Sequence, residues 1–475
     1  MKKHYLIIYR RFFMINLAQR ADNHNYRFDP IVRSLLDTDF YKILMLQFIY
    51  FYFPKTHASF KVINRSIKIP LATIVSINEL QEQLDYVSTL SFTESELVYL
   101  AGNKFYGRRD IFYSDFIDFL RTVSLKTPRI EVVDDQFEIH FEGLWIETML
   151  WEIYALSILN ELKSRAGFRN LNKMELDVFY SRAVAKNWDK VSKLKGIPGF
   201  KVAEFGTRRR HSFLWQEKML MMSKSILGDA LVGTSNVFLA MKHSMEAIGT
   251  NAHELTMVIT ALADIGKIDC SILNAPYKVL EMWQELYQGN LLIFLPDTYG
   301  TTGFLDNAPD FVWKWTGMRA DSKNPYDAGE EYISNLLKHN IDPKDKVILF
   351  SDGLDVDEMI KLHAQFGGII QPGYTINDFN SVEDFLDQKK WKHEPRIKVS
   401  FGWGTMMSND MKNCNPKNDD IFNPISIVCK VDNVEGQKAV KLSDNWNKST
   451  GDKETIERYR KIFGTKGVEN IQVNV

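Results

Sequence analysis

A chain of 475 residues is too long for one small module; at ~150 residues per domain it amounts to about three domain equivalents, or to a barrel with an appended domain. Hydrophobic residues at 45% and charged residues at 25% are ordinary for a soluble globular protein and supply a large core, which excludes wholesale disorder. The 59 Lys plus Arg against 60 Asp plus Glu leave a net charge of -1, so the chain has no global footprint for nucleic acid or anionic membrane, and any cationic site is local.

From the N-terminus, MKKHYLIIYRRFFMINLAQR begins with a short apolar stretch that Arg10 and Arg11 interrupt, and it does not read as a signal peptide. LMLQFIYFYF at 44–53 is too short for a membrane span, contains Gln47 and is followed by Pro54. The apolar pattern from Phe40 to Phe53 predicts a helix. ASFKVINRS after it predicts a strand, and IEVVDDQFEIHFEG at 130–143 a hairpin turning at Asp134 and Asp135. From about residue 199 the pattern becomes a short apolar strand, a polar or glycine-containing loop and a helix. The strand units are KVAEF, ALVGTS, EAIGT, LLIFLPD, VWKWTGMRADS, KVILFSD and RIKVSFGWGT. That alternation predicts parallel βαβ connections, with the polar residues gathered at the carboxyl edge of the strands, where α/β folds bind ligands. ISIVCKVDNVEGQKAVKLSD returns to a hairpin pattern, and a charged helix follows near 453–463. Cys270, Cys414 and Cys429 show no CxxC spacing, so neither a disulfide framework nor a cysteine zinc site is expected, and a reducing cytoplasm is the natural compartment.

Several strand exits carry chemistry. After EFGTRRRHS at 204–212, Phe213, Leu214, Leu220, Met221 and Leu227 recur at heptad-like spacing and predict a helix, which puts Arg208, Arg209 and Arg210 at its start. Positive charge there opposes the helix dipole, so the arginines call for either a bound phosphate or carboxylate, or acidic partners from elsewhere in the fold. AIGTNAHELTM puts Gly249 and Thr250 after a strand and His253 in the first turn of a helix. The dipole disfavours imidazolium at that position, leaving a neutral nucleophile or proton acceptor; a packing or capping histidine is the plainer reading. MRADSKNP and FSDGLD place Arg319, Asp321 and Asp352 at strand exits, suited to an anion, a ribose diol or Mg²⁺ held through water, and equally to helix caps. FGWGTMMS offers Gly402 and Gly404 for close backbone approach to phosphate and Thr405 as a donor. No P-loop occurs, and no third glycine completes a dinucleotide fingerprint.

Taken in order, SLLDTDFYK at 34–42, EFGTRRR, VGTSN at 232–236, GTNAHE at 249–254, RADS at 319–322, SDGLD and FGWGT resemble the nicotinate phosphoribosyltransferase family over roughly residues 30–450. The resemblance implies an irregular α/β barrel of the type II phosphoribosyltransferase kind, with an α+β domain built from both chain ends. The expected division is 14–165 for the N-terminal α+β domain, 166–420 for the barrel and 421–475 for the segment returning to the α+β domain. It further implies a homodimer with active sites at the interface. The implied reaction makes nicotinate mononucleotide and diphosphate from nicotinate and 5-phosphoribosyl 1-diphosphate, with Mg²⁺ as cofactor and ATP as co-substrate.

On this resemblance His253 is the phosphorylated histidine. Tyr41 and Phe205 stack on the pyridine ring, Tyr41 reaching across the dimer. Arg319 contacts the pyridine carboxylate or phosphate, Arg208 the phosphate side and Asp321 the ribose diol, while Thr250 and Thr405 bind substrate. The nearest competitor is the amide-using enzyme, but relatives using nicotinamide carry an aspartate at the position of Ser235, whereas a serine permits the acid, so Ser235 favours nicotinate. Another sugar-phosphate α/β-barrel enzyme and a silent binding protein are the alternatives from other classes. Two features depart from the family: Lys323 stands where many members have glycine, and the first ~13 residues precede the usual start of the resemblance, which makes Met14 a candidate initiator.

Overall fold

The helix Phe40–Tyr52 buries nine of its residues, including Lys42 and Gln47, which is more than an amphipathic surface helix hides. In this computed structural model the described residues are 17–18 and 29–469; Met14 lies outside them. The strands are β1 (His57–Asn64), β2 (Arg129–Val133), β3 (Gln136–Leu144), β4 (Val202–Glu204), β5 (Leu231–Thr234), β6 (Ile293–Phe294), β7 (Gly317–Ala320), β8 (Val347–Phe350), β9 (Ile369–Ile370), β10 (Trp391–Lys392), β11 (Lys398–Trp403), β12 (Ile427–Val434) and β13 (Gln437–Lys438). Among the described residues, no helix is long and apolar enough to cross a membrane.

Both chain ends supply one antiparallel sheet, in the order β13-β12-β1-β3-β2. Strict alternation drives it: Ala58, Phe60 and Val62 of β1 are buried while the residues between them are not. The β2–β3 hairpin turns at Asp134 and Asp135, whose φ values of 49° and 59° match a two-residue turn that follows the strand twist. β12 pairs with β1 from Ala58↔Val434 to Asn64↔Ile427. The helix Trp151–Phe168, buried along its whole length, touches both of those strands and the turn Thr207–Arg209.

The second sheet is parallel, in the order β5-β4-β11-β8-β7-β6. Of the irregular α/β barrel expected, the mixed α/β fold with a parallel sheet is present, but among the described residues the edge strands β5 and β6 do not pair and the sheet is not closed. EAIGT, expected as a strand, contributes a single parallel bridge, Thr234↔Ala247. β6 is only two residues long. With no strand at EAIGT and a stub at β6, the ladder lacks the backbone donors and acceptors that closure requires. One face of this sheet packs in the core through residues such as Met318, Ile348, Phe350 and Phe401. Side chains of the other face, including Val232, Ile293, Leu349 and Ser400, line a cavity.

Candidate active site

The cavity has a volume of about 1350 Å³, above the ~300–1,000 Å³ usual for a single small ligand, so it has room for more than one. Its walls come from the parallel sheet's carboxyl edge and from β1 and β12 of the antiparallel sheet. Tyr41, Phe205, Arg208, Ser235, Thr250, His253, Arg319, Asp321, Asp352, Gly404 and Thr405 all line it.

EFGTRRR folds differently from the helix start expected. Thr207–Arg209 form a 3₁₀ turn, and the helix begins at Phe213, capped by Ser212, whose hydroxyl accepts the Trp215 N–H. The three arginines divide between the two readings. Arg210 is fully buried and grips Asp37 with both Nη atoms, at 2.6 and 2.7 Å. It is a structural ion pair. Arg208 and Arg209 face the cavity. Arg208 Nη1 lies 3.7 Å from Glu152 Oε1, whereas Arg209, like Arg65 at the end of β1 and Lys430 on β12, forms no ion pair within 4.0 Å among the described residues. Burial, with Arg208 and Arg65 adding repulsion, pushes Arg209 down to about 9. Burial likewise pushes Lys430 down to about 8. Cations held this close without counter-ions are pushed toward their neutral forms and would be favoured by a bound anion.

GTNAHE enters the helix His253–Asp264 at its first residue, as expected. Burial, aided by Lys441 and opposed by Asp297 and Asp321, holds the His253 imidazole down at about 4, so it is neutral near pH 7. Lys441 Nζ lies 2.8 Å from His253 Nε2. An ammonium only donates, so Nε2 carries the lone pair and Nδ1 the proton, which it gives to Thr298 Oγ1 at 3.1 Å. Asp321 Oδ2 stands 3.0 Å from the same Nε2, and Asp321 Oδ1 accepts from Ser351 Oγ at 2.9 Å. Asp297 Oδ2 takes Lys441 at 3.1 Å, while its buried Oδ1 accepts no hydrogen bond among the described residues. Burial would raise the Asp321 carboxyl, but Arg319, His253 and Lys441 hold it well below its ordinary value. Asp321 Oδ1 is thus engaged by Ser351, while Oδ2 lies beside the His253 Nε2 lone pair with Lys441 Nζ 4.0 Å away. Asp352 forms an ion pair with Lys448.

The sequence profile of the nicotinate phosphoribosyltransferase (NAPRTase) N-terminal domain matches residues 36–160, and that of the NAPRTase family matches 200–374 and 375–466. The chain belongs to the nicotinate phosphoribosyltransferase family. Its structure is similar to that of nicotinate phosphoribosyltransferase from Porphyromonas gingivalis, with 26% identity and a TM-score of 0.73, covering 91% of this chain and 100% of that one. The Vibrio cholerae nicotinate phosphoribosyltransferase is also 26% identical, with a TM-score of 0.76 and coverage of 92% and 94%.

Within this nicotinate phosphoribosyltransferase fold two expectations change. Gly402 does not line the cavity. A Cβ there would sit 2.4 Å from the Phe205 ring, so the glycine makes room for the aromatic and does not approach a phosphate. Tyr41, expected to reach across a dimer, also lines the cavity of its own chain. Ser235 donates to Asp39 Oδ1 at 2.6 Å, so a carboxylate stands beside the serine that was expected to leave the pocket clear of one. Burial raises the Asp39 carboxyl, with Ser235 and Arg208 opposing.

Sequence reasoning missed Arg65, Lys430, Lys441 and Asp297. Asp297 ends the LLIFLPD unit and carries the same strand-exit signal as Asp321. Glu204, the first residue of EFGTRRR, was also passed over. Its carboxylate takes the Gly206 N–H at 2.6 Å, Gln216 Nε2 at 3.0 Å and Thr234 Oγ1 at 2.6 Å, which pins the turn that presents Phe205 and Arg208. Lys323, the departure from the family pattern, is held by Glu331 at 2.6 Å and Thr302 at 2.8 Å.

Proposed function

We propose that the protein joins nicotinate to 5-phosphoribosyl 1-diphosphate, giving nicotinate mononucleotide and diphosphate for NAD salvage, with ATP hydrolysis coupled through phosphorylated His253 in a homodimer. The observation that carries this reading is the wall of cations, Arg65, Arg208, Arg209 and Lys430, facing a neutral histidine across one cavity. Attack of the pyridine nitrogen on ribose C1 forms the C–N bond as the C1–O bond breaks, and the electron pair leaves with diphosphate. Positive charge grows on the sugar and negative charge on the leaving group, and fixed guanidinium groups stabilise the latter without reorganising. Tyr41 and Phe205 offer faces for the flat ring, and Arg319 an anchor for its carboxylate.

His253 Nε2, with its lone pair free of a proton, suits attack on the γ-phosphorus of ATP; the N–P bond forms as the bond to ADP breaks. Phosphorylated, it would carry negative charge beside Lys441 and order the adjoining loops, so ATP would tighten substrate binding. Mg²⁺, which the family implies, fits next to Asp297 and Asp321, where the buried Asp297 Oδ1 lacks a donor. Bound there, it would supply charge neutralisation for phosphate oxygens. Nicotinamide is the second reading, favoured by the Asp39 carboxylate beside Ser235.

Turnover of nicotinate against nicotinamide, with and without ATP, tests both. Nicotinate turnover stimulated by ATP is expected. His253→Ala should lose ATP stimulation and all label from γ-labelled ATP while retaining slow ATP-independent synthesis; full ATP stimulation in that variant refutes the coupling.

A further inference from the structure

The loop Phe105–Arg108 closes on itself through paired backbone hydrogen bonds and carries Tyr106 at φ 51°. A bulky side chain in the left-handed region is strained, and such strain persists where surrounding contacts hold it. Two contacts do so here. Glu246 Oε1 accepts the Tyr106 N–H at 2.7 Å. The Tyr106 hydroxyl both donates to Gly249 O at 3.1 Å and accepts from Gly249 N–H at 2.8 Å. One hydroxyl thus satisfies both backbone groups of the residue that opens GTNAHE, which only a group that is donor and acceptor at once can do. On its other side Gly249 is wedged against the backbone of Tyr41: an added Cβ would lie 2.8 Å from Tyr41 N. The loop leading to Thr250 and His253 is therefore clamped between Tyr41 and a phenol that itself lines the cavity.

We propose that Tyr106 is a positioning residue that fixes the Gly249–Thr250 segment against Tyr41 and so sets the width of the pyridine end of the cavity. The role in substrate binding rests on the nicotinate reading; the clamp itself does not. Two independent readouts separate them. In hydrogen–deuterium exchange on the full chain without ligands, Tyr106→Phe should speed exchange of amides 249–252 by about tenfold, as expected from the loss of one to two modest hydrogen bonds, with amides of β4 and β8 unchanged. In steady-state turnover the same variant should raise KM for nicotinate about tenfold, leaving kcat and KM for 5-phosphoribosyl 1-diphosphate within about twofold. Glu246→Gln, which keeps an acceptor for the Tyr106 N–H, should stay near the parent in both assays. Unchanged exchange at 249–252 overturns the clamp. Faster exchange there with an unchanged nicotinate KM, or with kcat and both KM values impaired together, overturns the positioning role. Absence of nicotinate turnover in the parent overturns the functional reading and leaves the exchange result standing.

Discussion

Two regions of the same cavity handle charge in opposite ways. Around His253, the cation Lys441 is shared between Asp297 and the imidazole, and Asp321 is ringed by Arg319, His253 and Ser351. Every charge there has a partner, and the product of that balance is a neutral ring with a defined tautomer. On the wall formed by β1, β12 and the 207–209 turn, Arg65, Arg209 and Lys430 have no ion-pair partner among the described residues, and burial, with repulsion from Arg208, lowers each of them. A balanced cluster prepares a reactive group, whereas an unbalanced one waits for charge from outside.

Breaking the unbalanced wall should give the largest effect. Arg209→Met is expected to raise KM for 5-phosphoribosyl 1-diphosphate by about 100-fold, as for loss of a charge-assisted contact of ~2–3 kcal/mol, with the nicotinate KM little changed. Equal loss for both substrates would show that the arginine serves the fold alone. A smaller effect sharpens the contrast through Lys430. Since burial pushes its ammonium down to about 8, the cation is present below that pH and lost above it. KM for the phosphoribosyl donor should therefore rise several-fold between about pH 7 and 9, and Lys430→Arg should flatten that rise; an identical profile in both proteins would remove Lys430 from the site.

The smallest effect belongs to the balanced interior. Burial holds His211 at about 3 and His253 and His363 at about 4, below the ordinary 6.5. These groups stay neutral when folded and take up protons when unfolded below 6.5. Their contribution is full above that pH and drains away as pH falls toward 4. The urea midpoint should decline steadily across that window, and a flat midpoint would contradict the buried neutral state.

The strand-exit loops were legible in the sequence because their signal is local: GTNAHE needs only a strand before it and a helix after it. The division of labour among Arg208, Arg209 and Arg210 was not, since Asp37, the partner that removes Arg210 from the site, lies 173 residues away in the chain. Lys430 and Lys441 were invisible for a related reason. They read as ordinary members of a hairpin, and only the docking of β12 on β1 turns Lys430 into cavity wall, while Lys441 is brought to it from beyond β13, where it bridges Thr450. Closure of the sheet was over-read because EAIGT has the composition of a strand but, between Gly233 and the loop at Gly249, makes one bridge only.

The pairing of β1 with β12 also has a temporal meaning. Ala58 and Val434 are neighbours in one ladder, so a ribosome must release nearly the whole polypeptide before the cationic wall exists. Products truncated before β12 would carry GTNAHE and the three arginines yet lack Lys430 and the strand that docks it on β1.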